Sequence, residues 1–131
     1  MTDASMGCVL DASAMLALLH SEPGGEAVED VLDRAAMSAV NWSEICQRWL
    51  AHDVDVVDLR ADIEALGVQI VPFTADDAEQ TAALWVSTRR LGLSLGDRAC
   101  LGLARRLELP AVTADRAWLD ADVGVEIRPI R

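Results

Sequence analysis

Gly7-Cys8-Val9-Leu10-Asp11-Ala12-Ser13-Ala14-Met15-Leu16-Ala17-Leu18-Leu19 reads as a short strand running straight into a helix, with an aspartate at the junction. Gly7 to Leu10 is too short for a helix and is apolar throughout, as a strand buried on both faces should be. After Asp11, the residues Ala14, Met15, Leu18 and Leu19 recur at helical spacing. The same alternation continues outward. Ser21-Glu22-Pro23-Gly24-Gly25 breaks the first helix, and Ala27, Val28, Val31, Leu32 and Ala35 outline a second. Met37–Val40 is the second strand candidate, and helical spacing resumes from Trp42 through Ile45, Cys46, Trp49 and Leu50. It continues through Val54, Val57, Leu59, Ile63 and Leu66 to Gly67, as two consecutive helices kinked near His52. Val68–Val71, stopped by Pro72, is a third strand, and Thr74-Ala75-Asp76-Asp77 opens a helix running to Leu91. A further helix spans Asp97–Glu108, followed by strands at Ala111–Thr113 and Val125–Ile127. Strands alternating with helices imply an α/β sandwich around a mostly parallel sheet of four or five strands. The 131 residues are expected to form a single domain.

Composition narrows the chemistry. Acidic residues outnumber basic ones 22 to 11, for a formal charge of -11, and every basic residue is an arginine. Without lysine there is no Schiff-base chemistry and no P-loop phosphate lysine. The negative balance argues against holding nucleic acid by broad phosphate neutralisation. Hydrophobic residues make up 52% of the chain, which suggests apolar surface that needs a partner. Val9–Leu19 is too short to span a bilayer, is interrupted by Asp11 and Ser13, and has no preceding basic residue to mark a signal peptide. Cys8, Cys46 and Cys100 form no C-x-x-C pair and read as reduced core thiols of a cytoplasmic protein.

Two motifs mislead. Gly92-Leu93-Ser94-Leu95-Gly96 matches the nucleophile elbow G-x-S-x-G, but a helical stretch precedes it, and both histidines, His20 and His52, come before the serine. The histidines have no metal-ligand spacing and read as exposed helix-end residues.

The positions of four acids carry more information. Asp11 follows the first strand, Glu44 lies near the start of the helix after the second, Asp97 opens a helix after a glycine, and Asp115 follows the fourth strand. Each also suits a local role: Asp11 and Asp115 as helix N-caps, Asn41 with Glu44 as a capping-box variant, and Asp97 as a partner of the helix dipole. Together they gain meaning, because a parallel sheet brings its strand ends to one edge and ligands bind there. Gathered carboxylates repel and raise one another's pKa unless a cation is present. With no cysteine or histidine among them, magnesium or manganese suits the set better than zinc. Such an ion would activate water toward a phosphodiester without lysine or histidine.

Val9-Leu10-Asp11-Ala12-Ser13-Ala14, Asn41-Trp42-Ser43-Glu44, Leu93-Ser94-Leu95-Gly96-Asp97-Arg98-Ala99-Cys100 and Val112-Thr113-Ala114-Asp115-Arg116 occur in this order along nearly the whole chain. In order and spacing they resemble the PIN domain family, and most nearly its VapC-type toxins. The resemblance implies a PIN-like three-layer sandwich over residues 1–131 and a toxin that hydrolyses RNA, such as tRNA or rRNA, as a magnesium-dependent endoribonuclease with manganese as a substitute ion. It implies Asp11 and Asp97 as main metal ligands, with Glu44 and Asp115 completing the catalytic set. Ser13, Asn41 and Thr113 match polar positions that orient these acids. Arg98 and Arg116 flank the site as candidate RNA contacts. A cognate antitoxin, a homodimer and a toxin–antitoxin hetero-oligomer are the implied partners, with no membrane association. Two other readings stay open: a silent PIN module that only binds protein, and a DNA nuclease using the same acids.

Overall fold

The computed structural model describes residues 6–131. Its strands are only three or four residues long: β1 (Cys8–Leu10), β2 (Ala35–Ser38), β3 (Gln69–Val71), β4 (Ala111–Thr113) and β5 (Ile127–Pro129). They form one fully parallel sheet in the order β3-β2-β1-β4-β5. Parallel neighbours need crossovers, and among the described residues six helices supply those up to β4: α1 (Ala12–Leu19), α2 (Gly25–Val31), α3 (Ala39–Ala51), α4 (Leu59–Ala65), α5 (Ala75–Thr88) and α6 (Leu95–Leu107), while the β4–β5 connection runs through the short turn Arg116–Asp120.

Strand alternation sorts the core into two layers. Cys8, Leu10, Ala35, Met37 and Val112 point to one face, where Met15, Val28, Ile45 and Ile63 of α1 to α4 cover them. Val9, Ala36 and Ala111 point to the other, under Leu84 of α5, Leu101 and Ala104 of α6, and the buried Trp118. Small residues at the centre of the sheet let α6 lie close over β1 and β2. Trp42 and Trp49 pack against the first layer, and all three thiols are free, their pKa values pushed up by burial. Both histidines are exposed and close helix C-termini. Among the described residues no helix is long and apolar enough to cross a membrane.

Several boundaries differ from the sequence expectations. The second strand is Ala35–Ser38 rather than Met37–Val40, because Ser38 ends it as the N-cap of α3, its hydroxyl accepting from the Val40 N–H at 3.2 Å. Helix α3 therefore starts at Ala39, and Ala35 belongs to the sheet, not the second helix. The kink expected near His52 is a full connection over residues 52–58 in which Asp53 takes a left-handed φ of 58°. The last strand lies two residues later than expected, at Ile127–Pro129.

Candidate active site at the carboxyl edge of the sheet

The chain leaves β1 at Asp11, which is 4% exposed. Burying a carboxylate is costly unless its lone pairs are met by donors. Here the Ala14 N–H and the Ser13 hydroxyl reach Oδ1, each at 2.8 Å, and the Thr113 hydroxyl reaches Oδ2 at 2.7 Å. The first of these is an N-cap, so the local role expected for Asp11 is present. The other two bring in β4, since Thr113 ends that strand and the Ser13 oxygen accepts from the Ala114 N–H at 2.9 Å. Despite these donors, Asp11 has its pKa raised to about 6, first by loss of solvent and further by the charge of Asp97. Asp97 is thus its electrostatic neighbour.

Asp97 comes from the opposite layer. Ser94 caps α6: its hydroxyl accepts from the Asp97 N–H at 3.1 Å, and the Asp97 carboxylate accepts from the Ser94 N–H at 2.9 Å. This reciprocal capping box explains the G-x-S-x-G sequence without a nucleophilic elbow. Glu44 stands on the sixth residue of α3, not at its start, so Asn41 and Glu44 do not form a capping box. Instead the Asn41 amide bridges two helices, donating to Glu44 Oε1 at 2.8 Å and to the Gly96 carbonyl at 3.0 Å. A methyl group at Gly96 would come within 2.3 Å of Glu44 Oε1, so glycine leaves the space that Glu44 occupies. The charges of Asp11, Asp97 and Glu44 all act on buried Cys100, whose thiol is pushed well above its usual value mainly by burial. Acids at the end of β1, on α3 and on α6 therefore share one electrostatic environment.

Asp115 sits at the rim. Its backbone N–H donates to Thr113 Oγ1 at 3.0 Å, while its exposed carboxylate accepts from the Ala117 N–H at 2.9 Å and caps the short turn Arg116–Asp120. Arg116 is exposed beside it and donates to the Arg131 carbonyl at 3.2 Å. Arg98 is half-buried and turned toward α5, donating to the Thr81 carbonyl at 3.3 Å. Ser94 and Gly96 also shape the site, the serine by capping α6 and the glycine by leaving room for Glu44. The serine followed three residues later by an aspartate is the signal that marks this helix start.

As the side chains stand, no three His, Cys, Asp or Glu residues among those described are gathered closely enough to hold a metal ion. The chemistry of the set nevertheless fits a hard cation. Its donors are all carboxylate oxygens, and the cost of the buried Asp11 charge is of the kind a divalent ion offsets.

The PIN domain family profile matches residues 8–124. No curated protein shows significant sequence similarity to the chain. Among solved structures, a toxin–antitoxin complex from Klebsiella pneumoniae has a similar fold, at a TM-score of 0.72 and 17% identity over 95% of this chain and 98% of that one. FitAcB from Neisseria gonorrhoeae gives a TM-score of 0.70 at 20% identity, covering 94% and 97% of the two chains. VapBC-5 from Mycobacterium tuberculosis, a member of the VapBC family of toxin–antitoxin systems, gives 0.62 at 26% identity, covering 95% and 98%. With the parallel sheet, the acids at its carboxyl edge and a profile match spanning most of its length, the chain belongs to the PIN domain family.

Proposed function

We propose that this PIN domain is the toxin of a toxin–antitoxin pair, an endoribonuclease that hydrolyses RNA phosphodiester bonds with magnesium, or manganese in its place. PIN domains are nucleases and typically use divalent metal ions. The observation that carries the reading is Asp11: a buried carboxylate held by Ser13 and Thr113 at a strand end, facing the charge of Asp97. Asp11 and Asp97 would hold the ion, with Glu44 and Asp115 completing the acidic set. When bound, the ion supplies Lewis acidity toward a phosphodiester oxygen and lowers the pKa of a water molecule. The protein does the positioning. Ser13 and Thr113 fix the plane of the Asp11 carboxylate, and Asn41 fixes Glu44 through Oε1, leaving Oε2 to accept a proton from the attacking water. Arg116, exposed beside Asp115, is placed to meet a phosphate. Arg98 can join it by leaving its contact with the Thr81 carbonyl.

The likeness to the Klebsiella toxin–antitoxin complex and to VapBC-5 supports a cognate antitoxin and a hetero-oligomer with it, and a toxin homodimer is part of the same proposal. Three reduced thiols suit action in the cytoplasm. Purified protein should cleave structured RNA only when a divalent ion is supplied, and Asp97→Asn should abolish cleavage. Robust cleavage in chelator would overturn the mechanism. Cleavage of DNA but not RNA would favour the DNA-nuclease reading, and silence on both would favour a protein-binding module.

A further inference from the structure

A cavity of about 580 Å³ opens between α5 and α6, beside the acidic site. It lies within the size range of small-ligand sites, and none of the four acids lines it. It is joined to the site all the same. Phe73, the only phenylalanine in the chain, lines this cavity and also the shallower recess bounded by Glu44, Ser94 and Gly96. Phe73 is therefore shared by the recess beside Glu44 and the cavity next to it.

We propose that this cavity is a nucleobase subsite, receiving a base of the RNA strand adjacent to the bond being cut. The proposal rests on the endoribonuclease reading and adds to it the place where sequence is read. A single-stranded base offers a flat face and a polar edge, and enzymes acting on RNA commonly stack such bases on aromatic side chains. Phe73 supplies the face. Ser38 and Thr81, both nine-tenths or more buried, supply hydroxyls among apolar walls, and Gln80 is exposed at the lip.

The charges favour a base over a phosphate inside. Asp77 is engaged by Arg106 at 3.2 Å, leaving Asp76 and Glu79 as exposed acids on the α5 side. They would repel a phosphate but accept hydrogen bonds from an exocyclic amino group. Arg105, on the α6 side, remains to meet the backbone phosphate outside. This division fits a chain too acidic to bind RNA by neutralising it broadly.

The test uses labelled single-stranded hexaribonucleotides covering each base at each position, bound to non-cleaving Asp97→Asn protein and read by fluorescence anisotropy. Adding Phe73→Ala should weaken binding about five- to tenfold, the lower part of what one base stacked on an aromatic ring contributes, and flatten the base preference at a single position. Gln80→Ala, at an exposed position, should alter the same preference and keeps the question open to decision if Phe73→Ala does not fold. Unchanged affinity and preference in folded variants would overturn the subsite. So would unchanged RNA binding with a shift in oligomeric state by sedimentation, which would assign the cavity to a second copy of the chain. Cleavage by the wild-type protein is measured alongside: if it cuts no RNA, the endoribonuclease reading fails, whereas cutting without these effects removes the subsite alone.

Discussion

Asp11 is under two opposed demands. Its place at the strand end buries it, while its three donors keep its charge tolerable. Because its folded pKa is raised from 3.8 to about 6, the folded protein binds this proton more tightly than the unfolded chain. The resulting penalty is absent below about pH 4, grows as the pH rises toward 6, and is complete above it. In chelator, wild-type protein should therefore lose roughly 2 kcal/mol relative to Asp11→Asn between pH 4 and 7, as read by denaturant unfolding. A flat difference would show that Asp11 is not the strained group. Thr113→Val removes the 2.7 Å donor to Asp11 and the acceptor for the Asp115 N–H while keeping the side-chain volume. Buried groups left unpaired cost about 1–3 kcal/mol, so the variant should melt lower, and an unchanged melting temperature would contradict the hydrogen-bond account.

At the scale of elements, the site depends on two helices from opposite layers meeting over the strand ends. Asn41 of α3 and the Gly96 carbonyl of α6 make that junction at 3.0 Å. Gly96→Ala should separate stability from activity. The added methyl displaces the Glu44 carboxylate and with it the bond from buried Asn41, a loss that offsets the up to about 1 kcal/mol by which alanine favours helix, so the melting temperature should change little. Nuclease activity should fall at least tenfold because Glu44 loses its place, and full activity would show that this position is not needed. Some of this was legible in the chain: Thr74-Ala75-Asp76-Asp77 announced α5, and its capping box forms as the pattern suggests. The second strand was misplaced because Ala35 and Ala36 are small apolar residues that serve a helix equally well, and only pairing with Cys8 and Val9 makes them a strand.

For the whole molecule, the charge of -11 poses the question of how RNA would be held. An ion held by Asp11 and Asp97 would offset part of the cost of the buried Asp11 charge and stabilise the folded state by mass action. Magnesium or manganese should raise the melting temperature of wild-type protein by several degrees and that of Asp11→Asn by much less. Equal shifts would remove the proposed metal site.

The sequence by itself determined the alternation of strands and helices, and it put acids at the ends of β1 and β4, on α3 and near the start of α6. These depend on near neighbours: apolar period, capping residues and breakers act over a few positions. Only the tertiary structure decided which partners hold those acids. Asn41 and Gly96 are 55 positions apart, and Asp11 and Thr113 are 102 apart. Their contacts depend on sheet order and on how closely α6 lies over small strand residues. The same packing turns Arg98 toward Thr81, leaves Asp115 at the rim, and opens the cavity that shares Phe73 with the recess beside Glu44. No local pattern contains those distances, because each is set by packing between segments far apart in the chain.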